Sequence, residues 1–160
     1  MKAINMRKNY CLLALIILFS SSGTLGMESS AWSLLHQEPY GTKSEMVKIF
    51  KQGSSSYRAV IVNAQGKEES EVEYFRQAHV RHASINLVWT DERFRRRGLA
   101  RVLVLRTCGH LASLGCERVT LLVVKNNHPA RCLYEQCGFV KKCTSPRESS
   151  SYWYEKQLTA

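Results

Sequence analysis

Along the chain, apolar and polar positions alternate with two different periods, and the changeover marks the elements. From Tyr57 to Val62 the run alternates and is β-branched near its end, which predicts a strand. Asn63-Ala64-Gln65-Gly66 reads as a hairpin-like turn. Glu71 to His79 and Ala83 to Thr90 predict two further strands, the second with Ile85, Leu87 and Trp89 spaced by two. The period then changes. Leu99, Val102, Leu103, Leu105, Leu111 and Leu114 recur at helical spacing, with Gly115 placed as the stop. Val119 to Val124 is nearly all apolar, as expected of a strand in the middle of a sheet. A short helix is predicted from Ala130 to Gln136, with Asn126 or Asn127 as its cap and Pro129 in its first turn. Phe139 to Thr144 and Tyr152 to Leu158 then predict an antiparallel hairpin around a loop at residues 145–150.

The N-terminal part is less patterned. Ser29 or Ser30 is placed to cap a short helix through Trp32, Leu34 and Leu35, and Pro39-Tyr40-Gly41 reads as a break. Glu45 to Phe50 is ambiguous in type, and Gly53 to Ser56 is a turn. Strands, helix, strand, helix and two strands in that order predict a mixed α+β domain.

Composition adds a leader and a charge. Lys2, Arg7 and Lys8 precede an apolar run from Cys11 to Phe19 and a small-residue tail ending at Gly26. This matches a secretory signal peptide, and the run is short for a membrane span of about 20 residues. A chain starting at Met27 would instead be a cytoplasmic domain without the leader. The expected division is therefore a leader at residues 1–26 and one domain at residues 27–160. Of the six cysteines one lies in the leader. Cys108, Cys116, Cys132, Cys137 and Cys143 have neither a disulfide-framework pattern nor zinc-ligand spacing and read as small buried hydrophobes. A reducing compartment suits them, against the sense of the leader. The formal net charge of +10 points to an anionic partner.

That charge is concentrated between the strand ending at Thr90 and the helix starting at Leu99. Arg93, Arg95, Arg96 and Arg97 lead through Gly98 into the helix, with Arg101 in its first turn. A helix N-terminus presents unpaired N–H groups backed by the helix dipole, and so forms an anion site. Gly98 lets a ligand come close to the backbone. The alternatives are a solvated basic turn or a nucleic-acid face. Against the latter, no aromatics interleave with the arginines as base stacking requires.

A second stretch decides between these readings. Arg95-Arg96-Arg97-Gly98-Leu99-Ala100 resembles the Arg/Gln-x-x-Gly-x-Gly/Ala loop of the GNAT superfamily of acetyl-CoA-dependent N-acetyltransferases. Asn127, Ala130, Leu133, Tyr134, Gly138 and Phe139 match, in order, that family's Asn-x-x-Ala-x-x-Leu-Tyr-x-x-x-Gly-Phe motif. The resemblance covers roughly residues 57 to 160. It departs at Glu92, where proline is common, and at Arg96, often glycine.

The resemblance implies a mostly antiparallel sheet with one parallel pair, Ala83–Thr90 beside Val119–Val124, splaying into a slot. Acetyl-CoA would enter that slot as co-substrate, with no metal. Its pantetheine would lie along the backbone of Val88, Trp89 and Thr90, and its pyrophosphate on the amides of Arg96 to Ala100, with Arg95 and its neighbours close by. Asn127 would touch the cofactor or cap the helix. Tyr134 would donate a proton to the leaving thiolate, or stand as a core tyrosine. The acceptor would be an amine, of a small molecule or a protein. No carboxylate lies on the strand before the basic turn, leaving His82, Glu73 and Glu71 as candidate bases. The family's two helices that wall the acceptor site have only residues 28–56 to form from, so that part is expected to be shortened. A non-catalytic CoA-binding module is the alternative.

Overall fold

The computed structural model describes residues 31–41, 45–77, 79–144 and 150–158. The leader, the Ser29/Ser30 cap and most of the loop at 145–150 lie outside them. No described helix is long and apolar enough to cross a membrane.

Eight strands form one sheet. They are β1 (Ser33–Tyr40), β2 (Glu45–Gln52), β3 (Ser56–Val62), β4 (Glu68–Arg76), β5 (His82–Thr90), β6 (Arg118–Val124), β7 (Val140–Thr144) and β8 (Ser151–Gln157). The order across the sheet is β1-β2-β3-β4-β5-β6-β8-β7. Two helices interrupt it, α1 (Leu99–Ser113) after β5 and α2 (His128–Gln136) after β6. Every neighbouring pair is antiparallel except β5 and β6, the parallel pair that the resemblance implied.

Both helices cover the same face. Side chains alternate across a strand, so Tyr57, Ala59, Ile61, Val72, Tyr74, Ala83 and Ile85 share one side. These are buried with Leu99, Leu103, Val104 and Leu111 of α1. Further along, the Tyr154 hydroxyl donates to Glu135 of α2 (2.7 Å) and Lys156 Nζ to the Cys137 carbonyl (2.6 Å). Tyr154 pairs with Leu121, itself paired with Ile85, which places α2 on α1's side. Among the described residues the opposite face bears no helix, and Leu87 and Leu122 stand exposed on it.

The helix expected through Leu35 is instead β1, and Pro39 and Tyr40 continue that strand rather than break it. β1 pairs along its length with β2, which settles Glu45–Gln52 as a strand too. A seven-residue helix alone would carry a costly nucleus and no neighbour. The hairpin supplies backbone partners, and Pro39 is tolerated because β1 is an edge strand. The shortened helical part is thus a β-hairpin within the described residues. Of the cysteines, Cys108, Cys116 and Cys137 are buried as expected, whereas Cys132 and Cys143 are exposed.

Candidate functional site

The site begins where the parallel ladder stops. β5 and β6 pair only from His82/Arg118 to Ile85/Leu121. On the other side of β5 the register shifts, with Ile85 opposite Tyr74 and Leu87 opposite Glu73, so Asn86 is an extra residue. Such a bulge bends its strand, and β5 leaves β6 at this point. β6 instead continues along β8 to Val124. The β5/β6 ladder ends at Ile85/Leu121, and the slot lies beyond it, between Leu87–Thr90 and β6.

Because the pair is parallel, the C-terminal ends of both strands lie at the same edge of the sheet. α1 and α2 begin after those ends, which brings the two sequence motifs together at the slot's mouth. Ligands bind outside the carboxyl ends of parallel strands for this reason.

The basic turn joins β5 to α1. Asp91 follows β5 and accepts from the Arg93 amide (3.0 Å), starting a single 3-10 turn at Glu92–Phe94. Arg96 then has φ 63°, the one positive φ among the described non-glycine residues, and Gly98 follows at 79°. Positive φ on either side of Arg97 is the kind of backbone from which anion-binding nests of successive N–H groups are made. Gly98 is the N-cap of α1 and makes no side-chain cap hydrogen bond to the helix's first amides. Gly98 is required here by its φ, since a Cβ would meet nothing within 4 Å. Leu99, 2% exposed, anchors the turn in the core.

The arginines have different duties. Arg93 pairs with Asp91, with Nη2 to Oδ2 at 2.7 Å. Hydrogen bonds from Arg93 hold the Asp91 carboxyl well below the usual carboxylate range. Arg95 lies 3.4 Å from Glu92 and donates to the Thr90 carbonyl (3.3 Å). Arg97 turns inward to Glu45 and Glu69. Arg96 and Arg101 are exposed and form no ion pair with another described residue.

The pantetheine-contact candidates lie along β5 beyond the end of the β5/β6 ladder. Val88 packs partly into the core, Trp89 is half-buried, and Thr90 Oγ1 is 2.9 Å from Ser70 Oγ. Across the slot's mouth, Asn127 caps α2, its Oδ1 accepting from the Ala130 amide at 3.2 Å. Tyr134 is 7% exposed on α2 and meets Phe139 edge-on, ring centroids 5.9 Å apart. Burial, helped by Cys137, pushes its phenol up to about 12.

The three candidate bases separate in the structure. His82 Nε2 lies 2.9 Å from Thr120 Oγ1 at the closed end of the slot, and burial lowers its pKa. Glu71 is bound by the Arg58 guanidinium, which also holds Glu68. Glu73 is half-buried on the helix-free face opposite Leu87. Burial raises its pKa, Glu71 adds to the rise, and Arg58 opposes it. The pattern of residues did not disclose Glu45 and Glu69. The bulge on β4 at Glu69, where Ile61 faces Ser70 but Val62 faces Glu68, was the only local sign.

The sequence profile of the Acetyltransferase (GNAT) family matches residues 59–139. This chain belongs to that family. No curated protein matches it by sequence. Among solved structures it is similar to spermidine N-acetyltransferase from Vibrio cholerae in complex with CoA and spermine, at 23% identity and TM-score 0.58 over 64% of this chain and 66% of that one. It is also similar to nourseothricin acetyltransferase, at 17% identity and TM-score 0.59 over 69% of each chain. PaiA N-acetyltransferase from Thermoplasma acidophilum, in complex with coenzyme A, matches at 16% identity and TM-score 0.58 over 64% of this chain and 61% of that one. At these identities the likeness is one of fold.

Proposed function

We propose that this protein transfers an acetyl group from acetyl-CoA to a primary amine by direct attack in a ternary complex. The observation that carries the reading is the N-terminus of α1, capped by Gly98 with no side-chain hydrogen bond and preceded by positive φ at Arg96, beyond the end of the β5/β6 ladder. The amides of Arg96 to Ala100 hold the pyrophosphate, and Arg96 and Arg101 supply unspent positive charge. The pantetheine arm runs along the backbone of Val88, Trp89 and Thr90, beyond the end of the β5/β6 ladder, as an added strand would.

A primary amine is mostly protonated at neutral pH and must lose that proton before attack. Glu73 is the candidate base in the most suitable setting, since a raised carboxyl pKa makes a stronger base. The neutral amine forms the new N–C bond as the C–S bond breaks. Tyr134, which its high pKa keeps protonated, donates to the departing sulfur, and the second proton shed by the nitrogen as the amide forms restores the phenol through solvent. Asn127 fixes the start of α2 and with it the direction of Tyr134.

A second reading, a CoA-binding module without turnover, is favoured by one observation. Residues 33–52 form a hairpin where the family resemblance implied two helices walling the acceptor. Calorimetric titration with CoA, followed by a thiol-release assay over a panel of amines, separates the two. CoA binding with turnover supports the transferase. Binding without turnover on any amine supports the module. Absence of CoA binding defeats both.

A further inference from the structure

Arg97 sits at the centre of the basic turn with its side chain 37% exposed, yet its guanidinium is engaged by two carboxylates. Its Nη2 donates to Glu45 Oε1 at 2.7 Å and its Nη1 to Glu69 Oε2 at 3.2 Å. The Glu69 side chain is 3% exposed and that of Glu45 11%. Glu69 is itself fixed three ways. It is the extra residue of the β4 bulge, its carbonyl accepts from the Asp91 amide (3.0 Å), and Asn63 Nδ2 donates to its Oε1 (3.4 Å). Beneath the guanidinium lies the Phe94 ring, 5.4 Å from Cζ to centroid. A planar guanidinium held by two carboxylates from two strands has little freedom left.

Position matters as much as pairing. Arg97 lies between the two left-handed residues, Arg96 and Gly98, so its backbone is the middle of the nest. Clamping its side chain fixes the peptide planes on both sides. The clamp also spends the charge, since one arginine between two carboxylates carries no surplus for a phosphate.

We infer that Glu45 and Glu69 are positioning residues for the cofactor loop, acting through Arg97 to aim the amides of Arg96 to Ala100. This rests on the proposed acetyl-CoA reading. It gives the N-terminal hairpin a part in cofactor binding, because Glu45 opens β2, 52 residues before Arg97.

The test is calorimetric titration of CoA into the full chain and its Glu45→Gln, Glu69→Gln and Arg97→Lys variants across a salt series, with steady-state kinetics alongside. Each variant raises the CoA Kd by about tenfold, as expected for loss of one charge-assisted hydrogen bond. The KM for acetyl-CoA rises with it, while kcat and the amine KM hold for the two glutamate variants. The salt dependence of binding stays as in wild type, because no phosphate contact is gained or lost.

Three results overturn the assignment while leaving the acetyl-CoA reading standing. One is an unchanged Kd with only a lowered melting temperature. Another is tighter binding with a steeper salt dependence, which would mean that the released Arg97 grips a phosphate. The third is an Arg97→Lys variant that binds like wild type. If Glu69→Gln fails to fold, Glu45→Gln at the less buried end carries the test. A wild-type chain that does not bind CoA overturns this assignment together with the reading beneath it.

Discussion

The Tyr74 hydroxyl lies 2.7 Å from Nδ1 of His110, joining the middle of the sheet to the far end of α1. Tyr57 stacks on Tyr74 at 5.3 Å and meets the same imidazole edge-on at 5.4 Å. Burial lowers the His110 pKa, and His36 adds to the effect. The unfolded chain therefore takes up a proton more readily than the folded one as pH falls below the ordinary histidine value. This contribution to stability is whole above that value and is lost in mild acid. Thermal melts should drop between pH 7 and pH 5, less steeply for His110→Gln. Tyr74→Phe should cost about 1 kcal/mol at neutral pH by denaturant titration.

Glu73 shifts the opposite way, with the opposite consequence. Its raised pKa means that the folded state holds the proton more tightly. Its contribution is present below the ordinary carboxylate pKa and disappears as pH rises through the folded value. Glu73→Gln should melt higher than wild type at neutral pH, the difference vanishing near pH 4. If Glu73 takes the amine's proton, the same variant loses turnover and the acidic limb of the rate profile, with acetyl-CoA affinity retained. A variant that is stabilised and fully active removes Glu73 from the chemistry.

Tyr134→Phe keeps the edge-on contact with Phe139 and loses only the hydroxyl. The expected outcome is a fall in kcat of about a hundredfold with little change in acetyl-CoA KM. Equal turnover in wild type and variant would leave Tyr134 a core residue.

Arg96 combines strain with charge. A non-glycine residue at φ 63° is destabilised relative to glycine, so Arg96→Gly should stabilise the fold by about 1 kcal/mol. It also removes one of the two unspent cations of the turn. Binding of CoA should weaken and become less sensitive to salt, measured by titration at two ionic strengths.

The parts legible in the sequence were those decided locally. The apolar spacing from Leu99 onward gave α1 its start and its end within a residue, and Val119–Val124 read as a central strand from its own residues, although Leu122 and Val124 stand exposed rather than buried. Gly98 and Asn127 announced turns whose chemistry is short-range. β1 was not legible, because Trp32, Leu34 and Leu35 suit either a helix or a strand until β2 is known to lie beside them. Pro39 misled for the same reason, since its tolerance depends on β1 being an edge. The Arg97 clamp joins residues 28 and 52 positions apart, and no period or short motif spans such intervals. The basic turn could be read as a cluster of like charges, but not that one of them is already neutralised from within.

Pairing over only four residue pairs, His82–Ile85 with Arg118–Leu121, has a mechanical meaning. It is the seam between a five-stranded half, β1 to β5, and a three-stranded half, β6 to β8. The hydrogen bond between His82 and Thr120 lies across this seam like a stitch at its closed end. Opening the halves stretches few backbone bonds, so the sheet is compliant along this line. A guest lying between Val88–Thr90 and β6 would act as the missing length of the seam. Filling it would couple occupancy to rigidity, and amide exchange in β5 and β6 would slow together when the slot is filled.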